Sequence, residues 1–207
     1  MTALTPPGLA LGDHWFDDGL YTSVNEVAHR SPGWLDTTVS LWSTYGLLLL
    51  GALLLAAWWR ARPADQDRAA LALAAPLVVV AALVVSTGLK ALLREQRPCQ
   101  TLRTVTVEAC PPVGDWSLPS NHAVLAAAIA VTLLFTDRRL AALAVPAAVA
   151  MAASRVWVGA HYPHDVVLGL LVGAAVAGAL TAGARHAVAP VAERLHTTRL
   201  RPLVARR

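Results

Sequence analysis

Four stretches of the sequence are each long and apolar enough to cross a bilayer, and they restrict the fold more than any other feature. About 30 Å of hydrocarbon requires roughly 17–25 apolar residues in a helix, and a chain that is 56% hydrophobic and 14% charged can supply them. The stretches are Val39–Trp59, Ala69–Leu89, Leu140–Val158 and Val166–Ala184, with a shorter fifth one at Asn121–Phe135. Backbone polar groups inside a bilayer are satisfied only in helices or closed barrels. The sequence therefore predicts an all-α integral membrane protein, a bundle of about five transmembrane helices.

The segment before the first span has a different character. Residues 1–38 carry several charges, and no basic stretch followed by an apolar one occurs there, so we expect no cleavable signal peptide. The residues from about Trp15 to Ala28 are predicted to form an amphipathic helix at the membrane interface. No linker, repeat or second core appears, so residues 1–207 are expected to form one domain, with a basic tail over 185–207.

The basic residues predict the orientation in the membrane. Eleven of the 17 lie in three segments that fall on the same side of the bundle, namely 60–68, 138–139 and 185–207. Short loops rich in arginine and lysine face the cytoplasm, so the segments 90–120 and 155–165 are expected on the extracytoplasmic side. The net charge of +4 fits contact with anionic lipid head groups. No basic run with interleaved aromatic residues indicates a nucleic-acid partner.

Gly169 and Gly173 form a G-x-x-x-G pair in the last span. Such a pair allows close approach of two helices. Both packing within one chain and a dimer face fit it, and the oligomeric state is not predicted.

Three polar motifs border the apolar runs. They are Lys90-x6-Arg97-Pro98, Pro119-Ser120-Asn121-His122 and Ser154-Arg155-x5-His161-x3-Asp165. Lys90 is the only lysine of the chain. Ionisable groups near hydrocarbon are costly and mark functional sites. The motifs are therefore the candidate site.

The residue types in the motifs suit chemistry on a phosphate. Transfer of a phosphoryl group needs fixed donors for the charge on its oxygens, and Lys90, Arg97 and Arg155 supply three cations. Arginine matches phosphate oxygens with its planar fork, whereas lysine acts as a compact charge. Ser120 precedes an apolar helical run as a plausible N-cap, and the free N–H groups that follow would point at an anion.

His161 and Asp165 are spaced for a nucleophile and the group that orients it. Asp165 can accept from Nδ1–H of His161, which leaves Nε2 unprotonated. His122 begins another span beside polar groups and is a candidate acid. Metal binding by His161, His164 and Asp165 is the alternative, but three nearby cations would repel a metal ion. We therefore predict no metal, and for His164 we favour an ordinary interfacial role.

The three motifs, in this order, resemble the signature of the type 2 phosphatidic acid phosphatase superfamily, the lipid phosphate phosphatases, to which vanadium-dependent haloperoxidases are related. The resemblance implies a helical bundle with a vanadium-haloperoxidase-like core that works without a metal or another cofactor. His161 would be phosphorylated, His122 would protonate the leaving group and Asp165 would orient His161. The phosphate would be held by Lys90, Arg97, Arg155, Ser120 and Asn121. Asn121 replaces the usual glycine, and asparagine is among the residues that best tolerate positive φ.

The segment 154–165, SRVWVGAHYPHD, is similar to that of bacterial undecaprenyl-diphosphate phosphatases. This likeness implies hydrolysis of a polyprenyl diphosphate, undecaprenyl or decaprenyl, at the outer face of a bacterial plasma membrane, in recycling of the cell-wall lipid carrier. Phosphatidate, phosphatidylglycerol phosphate and a decaprenylphosphoryl sugar phosphate are alternative substrates. A haloperoxidase fits poorly with so many membrane spans. A non-enzymatic lipid-binding or transport protein is the alternative of another class, although such a protein would be expected to lose His122, His161 or Asp165.

Cys99 and Cys110 both lie in the segment expected outside the cytoplasm. Because that compartment is oxidising, we predict a disulfide between them, with free thiols as the alternative.

Overall fold

The protein is all-helical in the part of the chain that the structure describes. This computed structural model describes residues 15–63, 66–198 and 201–204, and no strand occurs among them. The helices are α1 Trp15–Arg30, α2 Gly33–Ala61, α3 Gln66–Leu93, α4 Pro98–Thr101, α5 Asn121–Thr136, α6 Arg138–Trp157 and α7 Pro163–His196, followed by a short 3₁₀ turn at Arg201–Leu203.

Four stretches are long and apolar enough to span a membrane, as the sequence predicts. They are Gly33–Ala61, Asp67–Thr101, Arg138–Trp157 and Pro163–Arg185. The helix expected from about Trp15 to Ala28 is present as α1, two residues longer than expected. α7 continues through residue 185, so the predicted tail begins as helix. Residues 1–14 of the N-terminal segment and residues 199–200 and 205–207 of the tail lie outside the described residues.

The shorter apolar helix α5 is the centre of the bundle. It packs against α2, α3, α6 and α7. Residues on all its faces are buried, among them Val124, Ile129 and Leu133. At 1.5 Å per residue, its 16 residues cover about 24 Å, less than a full crossing. Its neighbours therefore shield it from lipid, and its first turn begins inside the protein.

Two glycines of α7 bring that helix against the backbone of α5. A side chain at Gly169 would lie 2.8 Å from the carbonyl oxygen of Ser120, and one at Gly173 would overlap the carbonyl group of Val124. The G-x-x-x-G pair thus serves packing within the chain. With the two helices this close, the N–H of Ser120 donates to the carbonyl of Asp165 at 3.1 Å. This hydrogen bond fixes the start of α5 beside the start of α7.

The helices run alternately up and down, so the bundle has two distinct ends. The end at which α3 and α6 finish and α5 and α7 begin is called the motif end. We call the arginine end the opposite one, formed by the α2–α3 and α5–α6 connections and by Arg185. The chain returns to the arginine end after α7, where the indole N–H of Trp58 donates to the carbonyl of Leu203 at 2.8 Å.

Candidate active site

The three motifs meet at the motif end. Lys90 lies in the last turn of α3, and Arg97 directly precedes α4. Ser120 precedes α5, and Arg155 lies in the last turn of α6. His161 lies in the turn between α6 and α7. All five side chains are buried, as is that of Asp165 in the first turn of α7.

A tight turn presents His161. The N–H groups of Ala160 and His161 both donate to the carbonyl of Arg155, at 3.1 and 3.2 Å. Gly159 adopts φ of 82° in this turn, a left-handed conformation that favours glycine. A side chain there would also overlap Thr106. The turn therefore depends on Gly159 and places His161 directly beneath the end of α6.

His161 and Asp165 form the pair that their spacing predicts. Nδ1 of His161 lies 3.2 Å from Oδ2 of Asp165. The same carboxylate oxygen accepts from the N–H of Tyr162 at 2.8 Å and from the hydroxyl of Ser117. These three contacts hold the carboxylate of Asp165 in one position. Nδ1 is thus the protonated nitrogen of His161, and Nε2 carries the lone pair.

Nε2 of His161 faces the cations. It lies 3.2 Å from Nη1 of Arg97. Complete burial holds the pKa of His161 well below its ordinary value, and Arg97, Lys90, Arg155 and His122 lower it further. The imidazole is therefore neutral at neutral pH, the form that a nucleophile requires.

Two of the cations are bound to the segment between the first two motifs. Arg97 donates to the carbonyl and to the carboxylate of Asp115, at 3.0 and 3.1 Å, and to the carbonyl of Ala160 at 2.7 Å. The ammonium of Lys90 donates to the carbonyls of Trp116 and Ser117. These contacts aim both cations at the space beside His161.

The third cation has a carboxylate partner from the same segment. Nη1 of Arg155 lies 3.2 Å from a carboxylate oxygen of Glu108 and also donates to the hydroxyl of Ser43. Nε of Arg155 is buried and has no hydrogen-bond partner in the part of the chain that the structure describes. Sequence reasoning missed the roles of Glu108 and Asp115. They are the only acidic residues between Pro98 and Pro119, which was the available signal.

The second motif supplies a hydrogen-bond donor that is available to a ligand, the hydroxyl of Ser120. Ser120 is the N-cap residue of α5, but its side chain makes no capping bond, and its buried hydroxyl has no hydrogen-bond partner among the described residues. Asn121 is the first helical residue and accepts from the hydroxyl of Ser86 at 2.7 Å. It is not one of the described non-glycine residues with positive φ, Arg94 and Arg103, so replacing glycine needs no unusual backbone here.

His164 lies in a cluster with Asp17 and Glu95. This cluster differs from the set of His161, His164 and Asp165 that the sequence offered as an alternative metal site. Its Nδ1 lies 2.7 Å from Oδ2 of Asp17, and its Nε2 lies 2.8 Å from Oε1 of Glu95. Glu95, His164 and Asp165 could offer a metal ion three ligand atoms within 4.8 Å of one another. Both nitrogens of His164, however, are directed at carboxylates as hydrogen-bond donors are. That no metal is needed stays a prediction.

Cys99 and Cys110 are joined by a disulfide, with Cα atoms 6.0 Å apart. Cys99 lies two residues after Arg97, and Cys110 two residues after Glu108. The bond therefore ties the segment that carries both carboxylates to the end of α3.

A membrane-embedded helical bundle with an oriented histidine and three buried cations at one end belongs to the class of phosphoryl-transfer enzymes. Comparison with known proteins agrees, because residues 69–187 match the model of the PAP2 superfamily. The chain belongs to this superfamily and is a lipid phosphatase, as the motifs predict.

Two relatives carry the same name. The chain is 29% identical to the undecaprenyl-diphosphatase BcrC of Bacillus subtilis over 163 residues, which is 78% of this chain and 80% of the relative. It is 38% identical to the undecaprenyl-diphosphatase of Sulfolobus acidocaldarius over 96 residues, 45% of this chain and 46% of that protein.

Solved structures share the fold. The crystal structure of Aquifex aeolicus LpxE superposes with a TM-score of 0.64 at 21% identity, covering 84% of this chain and 99% of that one. A transmembrane PAP2-type phosphatidylglycerolphosphate phosphatase of Bacillus subtilis gives a TM-score of 0.56 at 19% identity, covering 84% and 86%. The predicted helical bundle is thereby confirmed.

Proposed function

We propose that the protein hydrolyses a polyprenyl diphosphate to the monophosphate and inorganic phosphate. The observation that carries the chemistry is the neutral His161, held by Asp165 and faced by Arg97. The lipid class is supported by the two relatives named undecaprenyl-diphosphatase, one of which is matched over four-fifths of its length. Undecaprenyl and decaprenyl diphosphates carry the same reacting group, so both belong to the proposed class.

The proposed reaction has two steps. Nε2 of His161 attacks the terminal phosphorus, a P–N bond forms and the bond to the bridging oxygen breaks. His122 gives a proton to the departing lipid monophosphate. Water then attacks the phosphohistidine, His122 takes the proton of that water, and phosphate leaves. Asp165 accepts from Nδ1–H throughout and stabilises the charge that develops on the imidazole.

The phosphate is proposed to lie among Lys90, Arg97 and Arg155, with the hydroxyl of Ser120 and the first N–H groups of α5, those of Asn121 and His122, as further donors. Within residues 15–63, 66–198 and 201–204, the hydroxyl of Ser120 and Nε of Arg155 have no other hydrogen-bond partner and can donate to the ligand without losing a bond. Asp115 and Glu108 contact Arg97 and Arg155, so an entering phosphate competes with these carboxylates for the two cations.

Catalysis is proposed to take place at the extracytoplasmic face of a bacterial plasma membrane. The support is the arginine content of the opposite end, which by the positive-inside rule faces the cytoplasm. In a background without the native cysteines, Val113→Cys should react with a membrane-impermeant thiol reagent in intact cells, whereas Pro63→Cys should not. Both positions are exposed at opposite ends of the bundle. The reverse labelling pattern would place the site in the cytoplasm.

Release of phosphate by the purified protein tests the substrate. The panel contains undecaprenyl and decaprenyl diphosphates, phosphatidate, phosphatidylglycerol phosphate and a decaprenylphosphoryl sugar phosphate, each with and without EDTA. We expect the prenyl diphosphates to have the highest kcat/KM and EDTA to have no effect. If phosphatidate were cleaved with a kcat/KM about tenfold higher, equivalent to about 1.4 kcal/mol of transition-state binding, the substrate assignment would be wrong. Binding of lipid without any phosphate release would instead indicate a lipid-binding or transport protein.

A further inference from the structure

The cluster around His164 lies outside the proposed chemistry yet touches it through Asp165. His164 is clamped between two elements that are distant in the sequence: Asp17 in the first turn of α1, and Glu95 just after α3. Both carboxylates are buried, with exposed fractions of 5% and 9%. The backbone N–H of His164 also donates to Asp17, at 2.9 Å.

The geometry defines the charge of the imidazole. A carboxylate oxygen is an acceptor, so Nδ1 donates to Asp17 and Nε2 donates to Glu95. A ring that donates from both nitrogens is an imidazolium. Its Nε2 also lies 3.5 Å from Oδ1 of Asp165, whose other oxygen orients His161. One cation thus faces three buried carboxylates.

Without this cation, three carboxylates would share one buried region. Like charges in a buried cluster favour uptake of a proton by one of them. A protonated Asp165 is a poorer acceptor for Nδ1–H of His161, and the nucleophile would lose its orientation. The phenol ring of Tyr162 stacks on His164 with centroids 5.3 Å apart and holds the imidazolium in place.

We propose that His164 is a positioning residue whose imidazolium, held between Asp17 and Glu95, keeps Asp165 charged and so orients His161. The inference rests on the proposed phosphohistidine chemistry. It also gives α1 a role. This helix lies outside the matched family region, residues 69–187, yet its Asp17 contacts His164 in the first turn of α7.

A charge-compensation series tests the proposal in the full-length protein. His164→Gln keeps a hydrogen-bonding side chain but removes the cation. We expect kcat to fall on the order of 10- to 100-fold. KM should change less than twofold, because Lys90, Arg97 and Arg155 are untouched. Adding Glu95→Gln removes one negative charge and should restore kcat at least threefold over the single variant.

Tyr21→Phe is the matched control. It removes the hydrogen bonds from α1 to Thr104, in the segment between α4 and α5, and to the carbonyl of Gly159, in the turn before His161, without changing any charge. It should leave kcat within about twofold of the wild type. A double variant that is slower than His164→Gln alone would overturn the proposal in favour of a purely structural role. So would a His164→Gln enzyme with unchanged kcat. A wild-type protein without phosphatase activity would instead refute the proposed function.

A second, independent observation concerns the arginine end. A cavity of about 1260 Å³ opens there, with an apolar wall that includes Ala57, Leu71 and Phe135. Five arginines and two aspartates line it, namely Arg60, Arg68, Arg138, Arg139, Arg185, Asp67 and Asp137. The excess of positive charge next to an apolar wall, at the ends of membrane-spanning helices, matches the head group and upper chain of an anionic phospholipid.

The geometry points to this cavity, at the end of the bundle opposite His161, as a binding site for the phosphate of an anionic phospholipid. Arg60 already pairs with Asp137 at 2.8 Å, whereas Arg138 and Arg139 are exposed at its rim and are the residues to test. Arg62 serves as the matched control. It lies at the same end but outside the cavity, with its guanidinium over the rings of Trp58 and Trp59.

Native mass spectrometry of the detergent-solubilised protein measures the affinity for phosphatidylglycerol and phosphatidylcholine. We expect phosphatidylglycerol to bind more tightly than phosphatidylcholine. The double variant Arg138→Gln with Arg139→Gln should weaken the binding of phosphatidylglycerol roughly 30-fold, since each arginine contributes about five- to sixfold. Arg62→Gln should change it less than twofold. Equal binding of both lipids, an equal loss in the Arg62 variant, or displacement of the lipid by millimolar inorganic phosphate would overturn the lipid site.

Discussion

The two ends of the bundle hold their cations in opposite ways. At the motif end Lys90, Arg97 and Arg155 are buried, and each is fixed by backbone carbonyls or a carboxylate. At the arginine end Arg138 and Arg139 are exposed to solvent or head groups. Removing a charge from water costs several kcal/mol unless other groups compensate. The motif end bears this cost at three positions, whereas the exposed Arg138 and Arg139 avoid it.

The difference separates a site from a topology signal. Buried cations are retained only where something requires a fixed charge, and at the motif end this is the space beside His161. Exposed arginines orient a membrane protein and contact its lipids without being fixed. Substitutions should therefore have large, specific effects on catalysis at the motif end and small effects on catalysis at the arginine end.

The largest effect is expected from His161→Ala. Turnover should fall below detection, because His161 is the group proposed to form the phosphorylated intermediate, and radiolabelled phosphate should no longer attach to the protein. Asp165→Asn should keep the fold but lower the rate, since the amide orients the imidazole poorly. Activity that survives His161→Ala, in protein that unfolds at the wild-type temperature, would exclude the phosphohistidine mechanism.

His122→Ala should reduce kcat by about 10²–10⁴-fold, the usual contribution of a general acid. The loss should be greatest for substrates with poor leaving groups, because a good leaving group needs little protonation. A series of aryl phosphates with leaving groups of graded acidity measures this dependence. The same loss across the whole series would mean that His122 has no role as an acid.

Replacing both cysteines, Cys99→Ser with Cys110→Ser, should lower stability by on the order of 3 kcal/mol, since the bond closes a loop between positions 11 apart in sequence. For a chain of this size, that corresponds to a thermal midpoint lower by roughly 6–12 °C. The same change should come from a reducing agent acting on the wild type. Full reaction of both thiols with iodoacetamide in native, unreduced protein would show that the bond is absent.

The acidic limb of kcat/KM should lie below the ordinary histidine range of about pH 6.5. Burial and the neighbouring cations lower the pKa of His161 in the substrate-free enzyme, which is the form that kcat/KM reports. His161 therefore stays neutral as the pH falls through 6.5 and is protonated only at more acidic pH. An unshifted histidine would instead cost about tenfold in activity at pH 5.5.

The sequence predicted the spans and the helix α1, and it supplied the candidate site residues, because hydrophobic length and motif spacing are local properties. It did not predict the partners of those groups. Asp115 and Glu108 reach the arginines through a segment with no periodic pattern, and Asp17 meets His164 across 147 positions. Contacts of this kind depend on how α1 and the 98–120 segment fold over the bundle, and neither composition nor spacing contains that information.

The smallest expected effect concerns the ion pair of the arginine end. Arg60 and Asp137 are 2.8 Å apart, but the arginine side chain is 54% exposed, so the pair is largely screened by solvent. Asp137 also caps α6 by accepting from the N–H groups of Arg139 and Leu140, at 3.0 and 3.2 Å. Arg60→Gln leaves this cap in place and should cost at most about 1 kcal/mol, seen as a decrease of roughly 2–4 °C or less in the thermal midpoint.

Asp137→Ala removes the cap as well as the ion pair and should cost about 1 kcal/mol more than Arg60→Gln. Neither variant should change kcat, because both lie at the end opposite His161. The contrast with the motif end is direct, since Arg97 is 7% exposed and contacts Nε2 of His161. A loss of turnover in Arg60→Gln, at unchanged thermal stability, would show that the two ends are coupled and that the arginine end does more than orient the protein and bind lipid.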